Sequence, residues 1–69
     1  MRDSKGNVIN IEDQVKVLVD GFFFSVGAEG KVVAIDKLDG TINVAFDKGK
    51  YLQPGTWWAE VKDVVKKEQ

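Results

Sequence analysis

Lys31-Val32-Val33-Ala34-Ile35-Asp36, then Lys37-Leu38-Asp39-Gly40, then Thr41-Ile42-Asn43-Val44-Ala45-Phe46 is the stretch that decides the fold. Its two flanks are rich in β-branched residues, and the second alternates strictly. Ile42, Val44 and Phe46 fall on one face, Thr41, Asn43 and Ala45 on the other, which is the period of a half-buried strand. Between the flanks, Asp39-Gly40 supplies the positive φ that tight primed turns require, so the segment reads as a β-hairpin.

Working outward, the same punctuation recurs. Val15, Val17 and Val19 alternate with Lys16, Leu18 and Asp20, predicting a strand that Gly21 ends. From Gly21 to Gly30 the chain reads as a long glycine-bounded loop containing Phe22-Phe23-Phe24. Asp3-Ser4-Lys5-Gly6-Asn7 is a turn cluster before a short β-prone run, Val8-Ile9-Asn10-Ile11. Asp47-Lys48-Gly49-Lys50 and Pro54-Gly55 are further turns, with Tyr51-Leu52-Gln53 between them as an edge segment or loop. Trp57-Trp58-Ala59 makes the last full strand. Val61, Val64 and Val65 have helical spacing, but valine is a mediocre helix former and the stretch is short. A 3₁₀-like turn at Val61 to Asp63 followed by a strand at Val64-Val65-Lys66 is the preferred reading. Short strands with turns at this spacing predict an all-β, five-stranded, partly open barrel forming a single domain.

Composition narrows the function. The chain has 69 residues, no cysteine and no histidine, and ten basic residues against eleven acidic ones give a formal charge of −1. Disulfides and thiolate metal sites are excluded, and the usual base at neutral pH and the usual soft nucleophile are missing. No apolar run approaches the ~20 residues that span a bilayer, and the polar start of the chain lacks a signal-peptide core, which reads as cytoplasmic. Ser4, Ser25, Thr41 and Thr56 have no evident activating neighbour. Asp36 and Asp39 flank a turn, where aspartate serves the backbone. Aligning Gly40 with the glycine of a calcium loop puts Ile35, Lys37 and Phe46 where oxygen ligands belong. Gly27-x-x-Gly30-Lys31 lacks the spacing and the Ser or Thr of a phosphate loop, and these glycines read as permitting a tight turn with positive φ. The expectation is a protein that is no enzyme and takes no cofactor or metal.

Aromatic residues point elsewhere. On a strand, Trp57 and Trp58 must face opposite sides of the sheet, so one anchors the core while the other stands in solvent. Of Phe22-Phe23-Phe24, one or two rings can turn inward to cap the barrel end. Phe22, Phe23, Tyr51 and Trp58 form the candidate protein-binding surface. The competing set for nucleic acid is Lys48, Lys50, Lys62, Lys66 and Lys67, although interspersed acidic residues and the lack of a basic surplus disfavour it. A homo-oligomer in which exposed aromatics bury one another is a third reading.

The order of residues resembles SH3-like barrels. Asp13-Gln14-Val15-Lys16-Val17-Leu18, a loop with aromatics, then Gly27-Ala28-Glu29-Gly30-Lys31-Val32-Val33-Ala34-Ile35 is similar to the opening of the KOW-type version. Thr41 to Asp47 looks like its V-x-F-D strand, and Trp57 to Val64 like its closing strand, 3₁₀ turn and last core position. The likeness covers residues 11–66. Subunit IV of photosystem I, the Mib–Herc domains of ubiquitin ligases and many small phage and prophage proteins share this layout, which is specific for fold and poor for function. It implies Trp57 and Ala59 inward with Trp58 outward, and a core of Val15, Val17, Val32, Ile35, Ile42, Val44, Phe46, Trp57 and Val64. It also implies an accessory protein of a phage or mobile element that binds other proteins. RNA-holding KOW loops are more basic than these, and the family residues of the photosystem subunit's loops have no counterpart here.

Overall fold

The computed structural model of the chain describes residues 1–52 and 55–67. Five strands, β1 (Gln14–Val17), β2 (Glu29–Asp36), β3 (Thr41–Lys48), β4 (Thr56–Glu60) and β5 (Val64–Lys66), form one open sheet in the order β4-β3-β2-β1-β5. Every neighbouring pair is antiparallel, and a 3₁₀ turn at Val61–Asp63 precedes β5. The first four strands meander, and the turn carries β5 back beside β1. Ala59 of β4 and Val64 of β5, at opposite edges of the sheet, share one core cluster. The sheet therefore curls around its inner face.

Val15, Val17, Val32, Ile42, Val44 and Val64 have no exposed surface. Valine dominates because a curled sheet this small leaves little space inside, and a β-branched side chain pays almost nothing for being held on a strand. Burying each such side chain is worth roughly 1.5–3 kcal/mol. Phe46 and Val64 are buried as the sequence predicts, but Ile35 and Trp57 are only half-buried and pack against the cluster from its margin. Ile9 and Ala28 join the core from outside the strands. Both lie in segments without an alternating pattern.

Strand β1 stops at Val17, short of the predicted Asp20. The Val17 carbonyl accepts the Gly27 N–H at 2.9 Å, which ties the start of the β1–β2 loop to its end. Val19 is consequently exposed. The central hairpin also differs from a tight primed turn. Gly40 is at φ +69°, but Asp39 is not in the left-handed region. The loop instead closes on Asp36, whose carbonyl accepts the Gly40 N–H at 3.0 Å. The Asp36 Oδ1 accepts the Leu38 and Asp39 N–H groups at 3.0 and 3.2 Å. A side chain that satisfies two N–H groups makes the wider loop competitive. The predicted Pro54-Gly55 turn lies partly outside the described residues, with Gly55 at φ +89°.

Two register shifts bend the β2–β3 ladder, one between Glu29 and Gly30 and one between Val32 and Ala34. The second explains how Val32 and Ile35, three residues apart, both turn toward the core. At the first, the backbones nearly touch. A Cβ on Gly30 would collide with the Ala45 carbonyl oxygen and lie 2.7 Å from the Phe46 Cα. Gly30 thus supplies space, and the positive φ expected there belongs to Gly27 alone, at +92°.

The amino-terminal lead-in is fastened by Asp3, which is only 7% exposed. Its Oδ1 accepts the N–H groups of Lys5 and Asn7, both at 2.8 Å. Its Oδ2 accepts the Asn7 amide at 3.2 Å and the Lys66 N–H of β5 at 2.6 Å. Burial pushes the Asp3 carboxyl up, but these donors together outweigh it and hold the group below its ordinary value of 3.8.

Gly30→Ala is expected to cost about 3 kcal/mol in chemical denaturation, while Gly27→Ala, with open space around its Cβ, costs about 1 kcal/mol. Equal losses would contradict the close approach at Gly30. For Asp3, a folded pKa below the unfolded one means that its stabilisation is present above pH ~3.8 and is lost as pH falls through the folded value. Asp3→Ala should lower stability by about 2 kcal/mol at neutral pH and flatten the acid limb of a stability-against-pH profile.

Candidate functional site

One end of the curled sheet is closed by the β1–β2 loop meeting the β3–β4 loop. The Ser25 N–H donates to the Lys50 carbonyl at 2.9 Å, and the Leu52 N–H to the Phe23 carbonyl at 2.8 Å. Phe24 and Tyr51 are paired as an isolated antiparallel bridge between these two bonds. Within the first loop, the Gly21 N–H donates to the Phe24 carbonyl, and the Asp20 carboxylate accepts the Val26 N–H at 2.8 Å. Backbone bonds at such intervals hold the consecutive rings in fixed, different directions.

Phe24 turns inward against Phe46, with ring centroids 5.2 Å apart, and Tyr51 stacks on the same Phe46 at 5.7 Å. Phe23 lies flat on Trp57, centroids 3.9 Å apart and planes 10° from parallel. The Trp57 indole N–H donates to the Leu52 carbonyl at 3.0 Å, so its polar edge is satisfied by the second loop. This is why Trp57 remains half-buried on the inner face: a loop aromatic covers it where the sheet does not. Phe22 meets Phe23 obliquely, with ring centroids 6.3 Å apart and planes at 52°, and is 97% exposed.

Gly21 to Ser25 and Lys50 to Leu52 line an open groove of about 270 Å³. Of the predicted surface, Phe22, Phe23 and Tyr51 therefore come together. Phe23 is 41% exposed and doubles as the cover of Trp57, and Tyr51 is half-buried beside Phe46. Trp58 does not join them. It is 51% exposed, on the face of β4 opposite Trp57, and pairs in register with Asn43. Lys50, placed by the sequence reading in the nucleic-acid set, lies on the groove's rim. Leu52 was not legible as a groove residue nor Trp57 as the support of Phe23, since both roles depend on a loop some thirty positions earlier in the chain.

Three lysines of the nucleic-acid set are engaged by carboxylates. Lys62 pairs with Glu60 at 3.7 Å, Lys66 with Asp13 at 3.3 Å and Lys67 with Glu29 at 2.6 Å. The Lys67 hydrogen bond leads the influences that hold the Glu29 carboxyl below its usual range. Lys48 faces Glu29 across the β2–β3 ladder, beside the carboxylate that Lys67 holds, and Lys50 lies at the loop-closed end. Among the described residues, no three His, Cys, Asp or Glu side chains gather as metal ligands.

The two exposed phenylalanines differ in what supports them, so their removal should separate. Phe23→Ala is expected to lower stability by about 1–2 kcal/mol through the lost stack and the uncovered indole, and Phe22→Ala by less than about 0.5 kcal/mol. Denaturation monitored by circular dichroism checks this, and a Phe22→Ala loss as large as that of Phe23→Ala would contradict the arrangement. No family model, curated protein or solved structure matches this chain.

Proposed function

We propose that this chain is a small, non-enzymatic binding module of SH3-like build, which holds an extended segment of another protein across its aromatic loop end. The observation that carries the reading is Phe22, an almost wholly exposed ring beside a groove whose other aromatic walls are anchored. A ring left in water contributes nothing to stability and is retained at a cost in solubility unless a partner covers it. Rings fixed by backbone bonds lose little entropy on binding, which favours recognition by stacking over recognition by adaptable polar contacts.

An extended, proline-bearing segment fits such a groove best, because its ring faces stack on aromatics and its conformation is largely preformed. Lys50 on the rim adds a preference for an acidic residue in the ligand. The absence of histidine and cysteine from the sequence supports a role without catalysis. The likeness to phage and prophage barrels supports an accessory role in a mobile element. Nucleic acid is the weaker reading, as Lys62, Lys66 and Lys67 each sit against a carboxylate and the chain carries no basic surplus.

Titration of the ¹⁵N-labelled chain with a panel of proline-rich decapeptides, with and without an acidic residue, tests the reading. Shifts centred on Phe22, Phe23, Tyr51 and Leu52, abolished by Phe22→Ala at unchanged stability, are expected. Peptide shifts located elsewhere, or a parallel titration in which short RNA binds at low salt and is released by salt, would contradict it.

A further inference from the structure

The two edges of the sheet are not equivalent. At the β5 edge the outward groups are occupied by the chain's own start: the Val64 carbonyl accepts the Ser4 N–H at 3.0 Å and the Lys66 N–H donates to Asp3 at 2.6 Å. At the β4 edge they are not. The Val61 N–H donates to the Gly40 carbonyl and the Phe46 N–H to the Gly55 carbonyl, which sets the parity of the β3–β4 ladder. Trp57 and Ala59, opposite Val44 and Ile42, then direct their backbone groups at β3. Thr56, Trp58 and Glu60 direct theirs outward, and among the described residues none of these takes a backbone hydrogen bond. The β4 register runs without a shift, and the strand holds neither proline nor lysine, so of the devices that blunt an edge it has only its shortness and the terminal Glu60.

We propose that β4 pairs antiparallel with β4 of a second copy of this chain, about a twofold axis at Trp58. The sequence Thr56-Trp57-Trp58-Ala59-Glu60 is suited to this register. Thr56 meets the second copy's Glu60, a hydroxyl against a carboxylate, and Trp57 meets Ala59, large against small. Trp58 meets its own counterpart, and both half-exposed rings lie on the outer face, where each covers the other. No like charges oppose each other along the strand. Because the β5 edge is sealed, pairing stops at two copies and cannot propagate into a fibre. The site is separate from the loop-end groove, so either can fail without the other.

Two five-residue strands bury less than the ~1,200 Å² of a standard interface, so the dimer is weak, with a Kd of about 0.1–1 mM. Sedimentation velocity of the full chain from ~20 µM to ~2 mM should show reversible dimerisation across that range. Amide shifts with concentration should centre on Thr56, Trp58 and Glu60. Trp58→Lys places like charges at the axis and should weaken the dimer at least ~10-fold. Thr56→Pro removes an outward donor at the first strand position, where proline is tolerated, and should do the same should Trp58→Lys not fold. A chain that stays monomeric at ~2 mM, a dimer that persists in a folded variant of either kind, or shifts centred on Phe22 and Tyr51 would each overturn the proposal.

Discussion

The approach of Gly30 to the Ala45 carbonyl is the constraint on which the rest of the sheet depends. Strand β2 is paired on both sides near its start, with Lys16, Val15 and Gln14 of β1 opposite Glu29, Gly30 and Lys31, and with β3 along its length. To serve both neighbours it must bend where they diverge, and the shift at Glu29/Gly30 places that bend against the facing backbone. A side chain at this position would push β2 and β3 apart where Phe46 turns inward. Phe46 in turn supports Phe24 and Tyr51, so the geometry of the loop-closed end passes back to one missing Cβ.

The second organising feature is how each open boundary is dealt with. Loop aromatics and short backbone bridges close one end of the curled sheet, and the buried Asp3 carboxylate draws the amino-terminal lead-in over the β5 edge. Such devices matter in a domain whose core is mainly valine, where the free energy available from burial is limited. Two features remain open where these devices do not reach: the Phe22 ring at the loop end and the outward backbone of β4. Other apolar side chains also stand in solvent, Leu38 at the β2–β3 turn as fully as Phe22. The functional readings rest on the two places where exposure adjoins an aromatic groove or an unpaired strand edge.

Much of this frame was legible because it rests on local pattern. The 3₁₀ turn and β5 have the bounds expected, and β4 contains the expected Trp57-Trp58-Ala59. The two-residue period puts the two Trp on opposite faces, with Trp58 outward as the SH3-like resemblance implies. Features decided by distant contacts were not. Glu29-Gly30 reads as loop in the sequence, because only the facing Ala45 shows why a glycine belongs in a strand there. Asp3 reads as one of several turn residues, and nothing local marks Lys66 as its partner. The aromatic surface was legible by type but not by grouping. Phe22, Phe23 and Tyr51 meet only once the two loops pair, and the pleat of β4 keeps Trp58 apart from them.

The central claim is a curled sheet sealed along β5 by the chain's own start and left open along β4. Amide hydrogen exchange in dilute solution tests it residue by residue. The Lys66 amide, held by Asp3, should be protected along with those of the buried ladder, while the Trp58 amide, facing away from β3, should exchange orders of magnitude faster than its neighbours Trp57 and Ala59. A protected Trp58 amide in the monomer, or a rapidly exchanging Lys66 amide, would contradict the account.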